Sequence, residues 1–191
     1  MSTLDGERVE EILSGLLAQN PSISPKYFYD GLGSRLFEII TLLDEYYPTR
    51  TEGAIMSQYS GEIAKAIGKC DVLLDLGAGN CQKGSALFKS LMPVEYRALD
   101  ISREFLEEAI AGLQEKFPHI LMVAQEFDLQ DQLAFPDLST RKKTFFYPGS
   151  SIGNFDPEAA SNLFRNLAEV CNGSGGLLIG VDLIKPMDIL K

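Results

Sequence analysis

The feature that most constrains this chain is the apolar run Val72–Leu76, which ends in Gly77-Ala78-Gly79 and leads into a helical pattern at Lys83–Leu91. An apolar run of that length, bounded by turn residues, predicts a strand buried on both faces, as in a parallel sheet. The two glycines let backbone approach a ligand where a side chain would collide. The helix that follows offers free N–H groups at its start. Strand, glycine turn and helix together predict a crevice for a nucleotide-like molecule at the carboxyl ends of parallel strands.

The next predicted strand, Glu95–Asp100, ends in an acidic residue about 20 residues past the glycines, the spacing at which a carboxylate meets ribose hydroxyls. A dinucleotide fingerprint would place a third glycine three residues after Gly79, and that position is Gln82. A P-loop is excluded as well, because Lys83 is followed by Gly84 and the preceding spacing is wrong. S-adenosyl-L-methionine fits better, having ribose hydroxyls for Asp100 and no pyrophosphate to demand the third glycine. A plain glycine turn with a surface Asp in an ordinary α/β domain would leave the same letters.

The 191 residues give a prior of one domain with a small appendage. A formal net charge of −10 repels phosphate backbones, and only Arg141-Lys142-Lys143 interrupts it, so nucleic acid is not an expected partner. Cys70, Cys81 and Cys171 show no metal-ligand spacing and read as reduced thiols; with the single histidine, His119, placed in a surface loop, no metal site is expected. Met1–Glu10 is polar and acidic, unlike a signal peptide, and no stretch approaches the ~20 apolar residues of a membrane helix. A cytoplasmic protein without membrane contact is the expectation.

Ahead of the glycine turn, Val9, Ile12, Leu13, Leu16 and Leu17 predict an amphipathic helix over Glu7–Gln19. Ser34–Leu43 predicts a second, with Leu36, Phe37, Ile39 and Ile40 inward. Pro48 is expected to break it, and Thr51 to cap a third running to about Ile67. The aromatic, proline-punctuated entry around Tyr46-Tyr47-Pro48 reads either as a cap over the crevice or as ordinary core. Beyond Asp100, a helix at Arg103–Lys116, strands at Ile120–Gln125 and Thr144–Tyr147, a helix at Pro157–Cys171 and a strand at Gly175–Leu183 complete an alternation that implies right-handed parallel crossovers.

Three strings carry a resemblance. They are Lys26-Tyr27-Phe28-Tyr29-Asp30-Gly31-Leu32-Gly33-Ser34, then Glu45-Tyr46-Tyr47-Pro48-Thr49-Arg50-Thr51-Glu52, then Tyr147-Pro148-Gly149-Ser150-Ser151-Ile152-Gly153-Asn154-Phe155. With the glycine turn and Leu99-Asp100-Ile101-Ser102 between them, the chain from about residue 20 resembles the histidine-specific methyltransferase family. That family's best-known member trimethylates the α-amine of histidine on the way to ergothioneine. The resemblance implies an α/β fold: a Rossmann-like methyltransferase sheet, five of the usual seven strands present, preceded by an N-terminal helical segment. Residues 1–68 would form that segment, part of the substrate-binding region, and residues 69–191 the core. The family continues past the equivalent of Lys191, so this chain is expected to be its N-terminal part.

Position by position, the resemblance implies cofactor contacts from Gly77, Gly79, Lys83 (to the methionine carboxylate), Asp100 (to the ribose) and the pair Glu126-Phe127 near the adenine, with Asp128 a shifted possibility. Tyr47 resembles a tyrosine touching both cofactor and substrate. Asn154 matches an asparagine that holds the substrate's amino group, and Tyr29 lines the substrate pocket. Asn80-Cys81-Gln82 replaces a small, Ser-rich continuation, and Glu126 replaces an Asp. Methyl transfer from a sulfonium needs a free amine. An α-ammonium with a pKa of about 7.7–8.0 supplies one without a strong base. The implied activity is N-methylation of an amino acid's α-amine, histidine first. A non-catalytic module binding the methyl donor and a methyltransferase for a different amine remain the alternatives.

Overall fold

The computed structural model describes residues 3–129 and 133–187. Five strands, β1 (Val72–Leu76), β2 (Glu95–Asp100), β3 (Leu121–Glu126), β4 (Lys143–Tyr147) and β5 (Gly175–Ile179), lie in the order β3-β2-β1-β4-β5. Every pairing is parallel. The helices are α1 (Thr3–Leu16), α2 (Gly31–Thr41), α3 (Tyr47–Ile67), α4 (Gln82–Ala86), α5 (Phe88–Leu91), α6 (Arg103–Lys116) and α7 (Pro157–Cys171).

The central strand β1 is buried along its whole length. Helices cover both faces of the sheet, so apolar side chains are wanted on both, which is why β1 reads as a run rather than an alternation. Leu73 packs with Phe88, Tyr96, Leu106 and Phe146 on one face. Val72, Leu74 and Leu76 pack with Phe145, Leu163 and Leu167 on the other. Burial of each such leucine contributes about 1.5–3 kcal/mol. Leu163 and Leu167 come from α7, whose Asp156 cap accepts the Ala159 N–H at 2.8 Å and whose first position is Pro157.

The predicted elements are all present; α1, α2 and β3 are shifted by one to four residues from the expected bounds, and four further differences have a physical reason. Lys83–Leu91 is two short helices, because the Leu87 N–H bonds back to Gly84 at 3.0 Å, and the tighter turn lets Leu87, Phe88 and Leu91 all reach the core. Pro48 starts α3 instead of ending α2, sitting in the first turn where its missing N–H costs nothing, so Thr51 is not a cap. The 43–46 turn is closed instead by the Arg50 guanidinium, which donates to the carbonyls of Leu43, Asp44 and Tyr46.

β5 ends at Ile179 and not at Leu183. Past the end of β4 the next N–H due to β5, that of Gly149, goes to Glu52 instead, and Gly180, Ser150 and Asp182 then bond across a loop. Finally, Leu36, Ile39 and Ile40 are 51%, 59% and 41% exposed rather than inward. Phe37 alone turns in, edge-on to Tyr29 and Tyr46 at 5.7 Å each. The crevice side of α2 carries Ser34, Phe37, Glu38 and Thr41, which leaves the aliphatic side chains on the side turned away from it. Residues 188–191 of the closing stretch, and Met1 and Ser2 of the acidic start, lie outside the described residues.

Candidate active site

Strand order reverses between β1 and β4, and the ends of β1, β2 and β4 open there into a crevice of about 260 Å³. This is where open α/β sheets bind ligands. One wall is the sheet side: Gly77 to Gly79, Lys83, Asp100, Phe127 and the 147–149 turn. The other comes from the N-terminal segment, through Lys26, Tyr29, Phe37, Glu38, Tyr46 and Pro48.

The turn is built by backbone. The Gly77 and Ala78 N–H groups both donate to the Leu99 carbonyl, at 2.8 and 3.1 Å, hooking the end of β1 over β2. Gly77 and Gly79 have φ of 68° and 52°, and a Cβ added at either would meet nothing within 4 Å but the open crevice. Asp100 closes the turn from below. Its Oδ2 accepts the Gly79 N–H at 2.9 Å and its Oδ1 the Ser102 N–H at 3.3 Å. Burial raises the Asp100 pKa, and burial followed by the Asp100 charge raises that of the facing Tyr29 hydroxyl.

The unusual Asn80-Cys81-Gln82 has a local reason. Asn80 Oδ1 accepts the Gln82 N–H at 3.2 Å while its amide donates to Glu38 of α2 at 2.7 Å, tying the turn to the N-terminal wall. Cys81 takes a left-handed conformation, φ 59°, and its thiol is buried, which pushes its pKa up to about 12.

Of the remaining expected residues, Phe127 lines the crevice, and its N–H donates to the Asp100 carbonyl at 2.9 Å. Glu126 pairs with Asp100 in the sheet, but its side chain is exposed and is not part of the crevice wall. Asp128 takes that place, paired to Lys26 at 3.0 Å, and Lys26 reaches Glu11 of α1 at 2.9 Å. Asn154 lies on the crevice rim, in the short Ser151–Asn154 turn.

Tyr47 lies off the main crevice. It lines an adjoining cavity of about 280 Å³ between α3 and the stretch after β5, where its hydroxyl donates to Asp182. Pro48 and Gly149 separate the two cavities and line both. Lys83 is in the main crevice with its ammonium 2.6 Å from Glu52.

Sequence reading did not single out Glu52, Asp75 or Asp182. Glu52 closed the second quoted string, and Asp182 followed the β5 run. Asp75 is buried beneath the turn, where Tyr96 donates to its Oδ2 at 2.7 Å and its Oδ1 has no hydrogen-bonding partner among the described residues. A Cβ on Gly84 would sit 2.2 Å from that carboxylate, so this glycine is required for space. The signal was in the letters: an Asp in a buried strand and a glycine one turn into a helix.

An all-parallel α/β sheet with a glycine turn hooked to a carboxylate at its switch point defines a Rossmann-like fold of the methyltransferase kind. The chain belongs to the family of histidine-specific, S-adenosylmethionine-dependent methyltransferases, whose family model matches residues 8–191. A histidine N-alpha-methyltransferase of Mycolicibacterium smegmatis is 36% identical over 180 residues, 92% of this chain and 55% of that protein. A 4-dimethylallyltryptophan N-methyltransferase of Claviceps purpurea is 29% identical over 168 residues, 83% of this chain and 49% of that one. The chain thus spans about half the length of the curated relatives it matches. Among solved structures, the 1,6-didemethyltoxoflavin N1-methyltransferase of Burkholderia thailandensis superposes with a TM-score of 0.51 at 14% identity, covering 85% of this chain and 66% of that one, and so shares the fold.

Proposed function

We propose that this chain binds S-adenosyl-L-methionine in the crevice and carries part of an N-methyltransferase site for the α-amine of an amino acid, histidine first. The observation that carries the proposal is the Asp100–Gly79 hydrogen bond: one carboxylate braces the turn and faces the same cavity as Tyr29, Phe127 and Asn154. The chain fits the cofactor, since the glycines leave the space a nucleoside needs and Asp100 offers acceptors for its hydroxyls. When bound, the cofactor supplies an electrophilic methyl group.

The protein's own part is binding and aim. Asp100 would hold the ribose and Phe127 the adenine face, while Lys83 would meet the carboxylate of the methionine end. Asn154, at the rim, accepts a hydrogen bond from the incoming amine and directs its lone pair toward the methyl, at a near-attack distance of roughly 3–3.5 Å. Tyr29 shapes the substrate side. Tyr47, one residue from the shared Pro48, acts from the adjoining cavity. In this reading residues 1–68 form one wall of the substrate region and residues 69–191 the cofactor-binding core. Cytoplasmic residence and indifference to nucleic acid are part of the proposal; they are supported by the net charge of −10 and by the lack, among the described residues, of a helix long and apolar enough to cross a membrane.

Calorimetry with S-adenosylmethionine tests the binding half, and heat without saturation overturns it. A mass-spectrometric assay over free amino acids and prenylated tryptophan tests the acceptor. A mass gain of 14 Da multiples on histidine alone supports the proposal. Gain on tryptophan derivatives alone moves the chain to the second acceptor class, and binding without any transfer leaves a cofactor-binding module.

A further inference from the structure

Lys83 and the turn at Pro148 and Gly149 both line the crevice, and one side chain holds them. Glu52 of α3 places Oε2 2.6 Å from the Lys83 ammonium and accepts the Gly149 N–H on Oε1 at 2.8 Å. It is not free to swing away. A Cβ on Gly180 would come within 1.9 Å of Oε1, and one on Gly149 within 3.1 Å of the Lys83 nitrogen, so carboxylate, ammonium and two backbone turns are in close contact. The ion pair keeps the Lys83 ammonium at the wall of the crevice that Lys83 lines.

We infer that Glu52 is a positioning residue: it does not line the main crevice, but it fixes the Lys83 ammonium and the Gly149 backbone so that the crevice recognises the amino-acid end of its ligand, as distinct from the nucleoside end. The inference rests on the proposal that the crevice takes S-adenosylmethionine. A flexible lysine unpinned from Glu52 must lose side-chain freedom each time it meets a carboxylate, and the pin removes that cost in advance.

The test is calorimetry on the intact chain with S-adenosylmethionine, S-adenosylhomocysteine and 5′-methylthioadenosine, the last of which lacks the amino-acid end. Glu52→Gln keeps an oxygen for the Gly149 N–H and removes the charge. It is expected to weaken the first two ligands about tenfold and to leave methylthioadenosine unchanged. In a Lys83→Met background the same change should have no further effect on any of the three. Unchanged or tighter binding of the two full ligands by Glu52→Gln overturns the inference. So does a parallel loss of methylthioadenosine, which would mark a purely structural role. Methylthioadenosine binding also reports whether each variant is folded. A wild-type chain that binds none of the three overturns the cofactor reading, and the role of Glu52 with it.

Discussion

At the scale of single residues, two aspartates do different work one strand apart. Asp100 is hydrogen-bonded to backbone N–H groups and faces the crevice, so its acceptors serve both the turn and a ligand. A hydrogen bond to a charged group is worth about 1.5–3 kcal/mol. Asp100→Ala should therefore weaken S-adenosylmethionine by roughly 10- to 150-fold in calorimetry. An unchanged Kd would remove Asp100 from the site.

Asp75 serves the fold instead. Burial, opposed by the Tyr96 hydrogen bond, raises its pKa from 3.8 to about 7. Below 3.8 the folded and unfolded chains are both protonated. Between there and about 7 the unfolded chain loses its proton while the folded one keeps it, so this group's contribution to stability falls as pH rises through that window and levels off above it. Urea unfolding at pH 5 and pH 8 should show a loss on the order of 2 kcal/mol that Asp75→Asn largely abolishes. An equal loss in both proteins would show that Asp75 is not the group responsible.

At the scale of elements, α1 and α2 are held to the rest of the chain by a few polar links and little apolar packing, whereas α3 sends Met56 into the core. Lys26 bridges Glu11 of α1 and Asp128 after β3, Tyr27 donates to Glu11 at 2.8 Å, and Asn80 reaches Glu38 of α2. Partly exposed ion pairs of this sort are worth about 1 kcal/mol at most and weaken with salt. Lys26→Met should therefore speed hydrogen exchange in α1 severalfold, and less so at high ionic strength, while β1 and β2 keep their protection. If α1 exchanges at the wild-type rate, the triad does not anchor it. The turns between elements were the least legible part of the sequence. Pro48 could open a helix or end one, and only the Arg50 contacts to the 43–46 carbonyls show which. The β5 run also looked longer than it is, because apolar letters continue past the point where the partner strand stops supplying N–H groups.

For the whole molecule, the contrast is between a buried sheet core and the apolar side chains that α1 and α2 leave exposed. Leu13 and Leu16 of α1, Leu17 just past its end, and Leu32, Leu36 and Ile39 of α2 are all about half exposed or more. Exposed apolar patches promote association. Leu36→Lys with Ile39→Lys should lower dye binding and light scattering while moving stability by less than about 0.5 kcal/mol. A marked destabilisation would show that these side chains are packed after all.

The amino-acid sequence alone determined the sheet, its parallel sense, the glycine turn and the carboxylate beside it. Those depend on local signals: a period of apolar residues, positions that only glycine tolerates, and a fixed spacing from strand end to strand end. Tertiary structure decided which polar groups meet. Tyr47 finds Asp182, 135 residues away, Glu52 finds the Gly149 backbone, 97 away, and Lys26 finds Asp128, 102 away. No local period encodes such pairings, because they follow from how crossover helices and loops converge on the carboxyl ends of the strands once the sheet has formed.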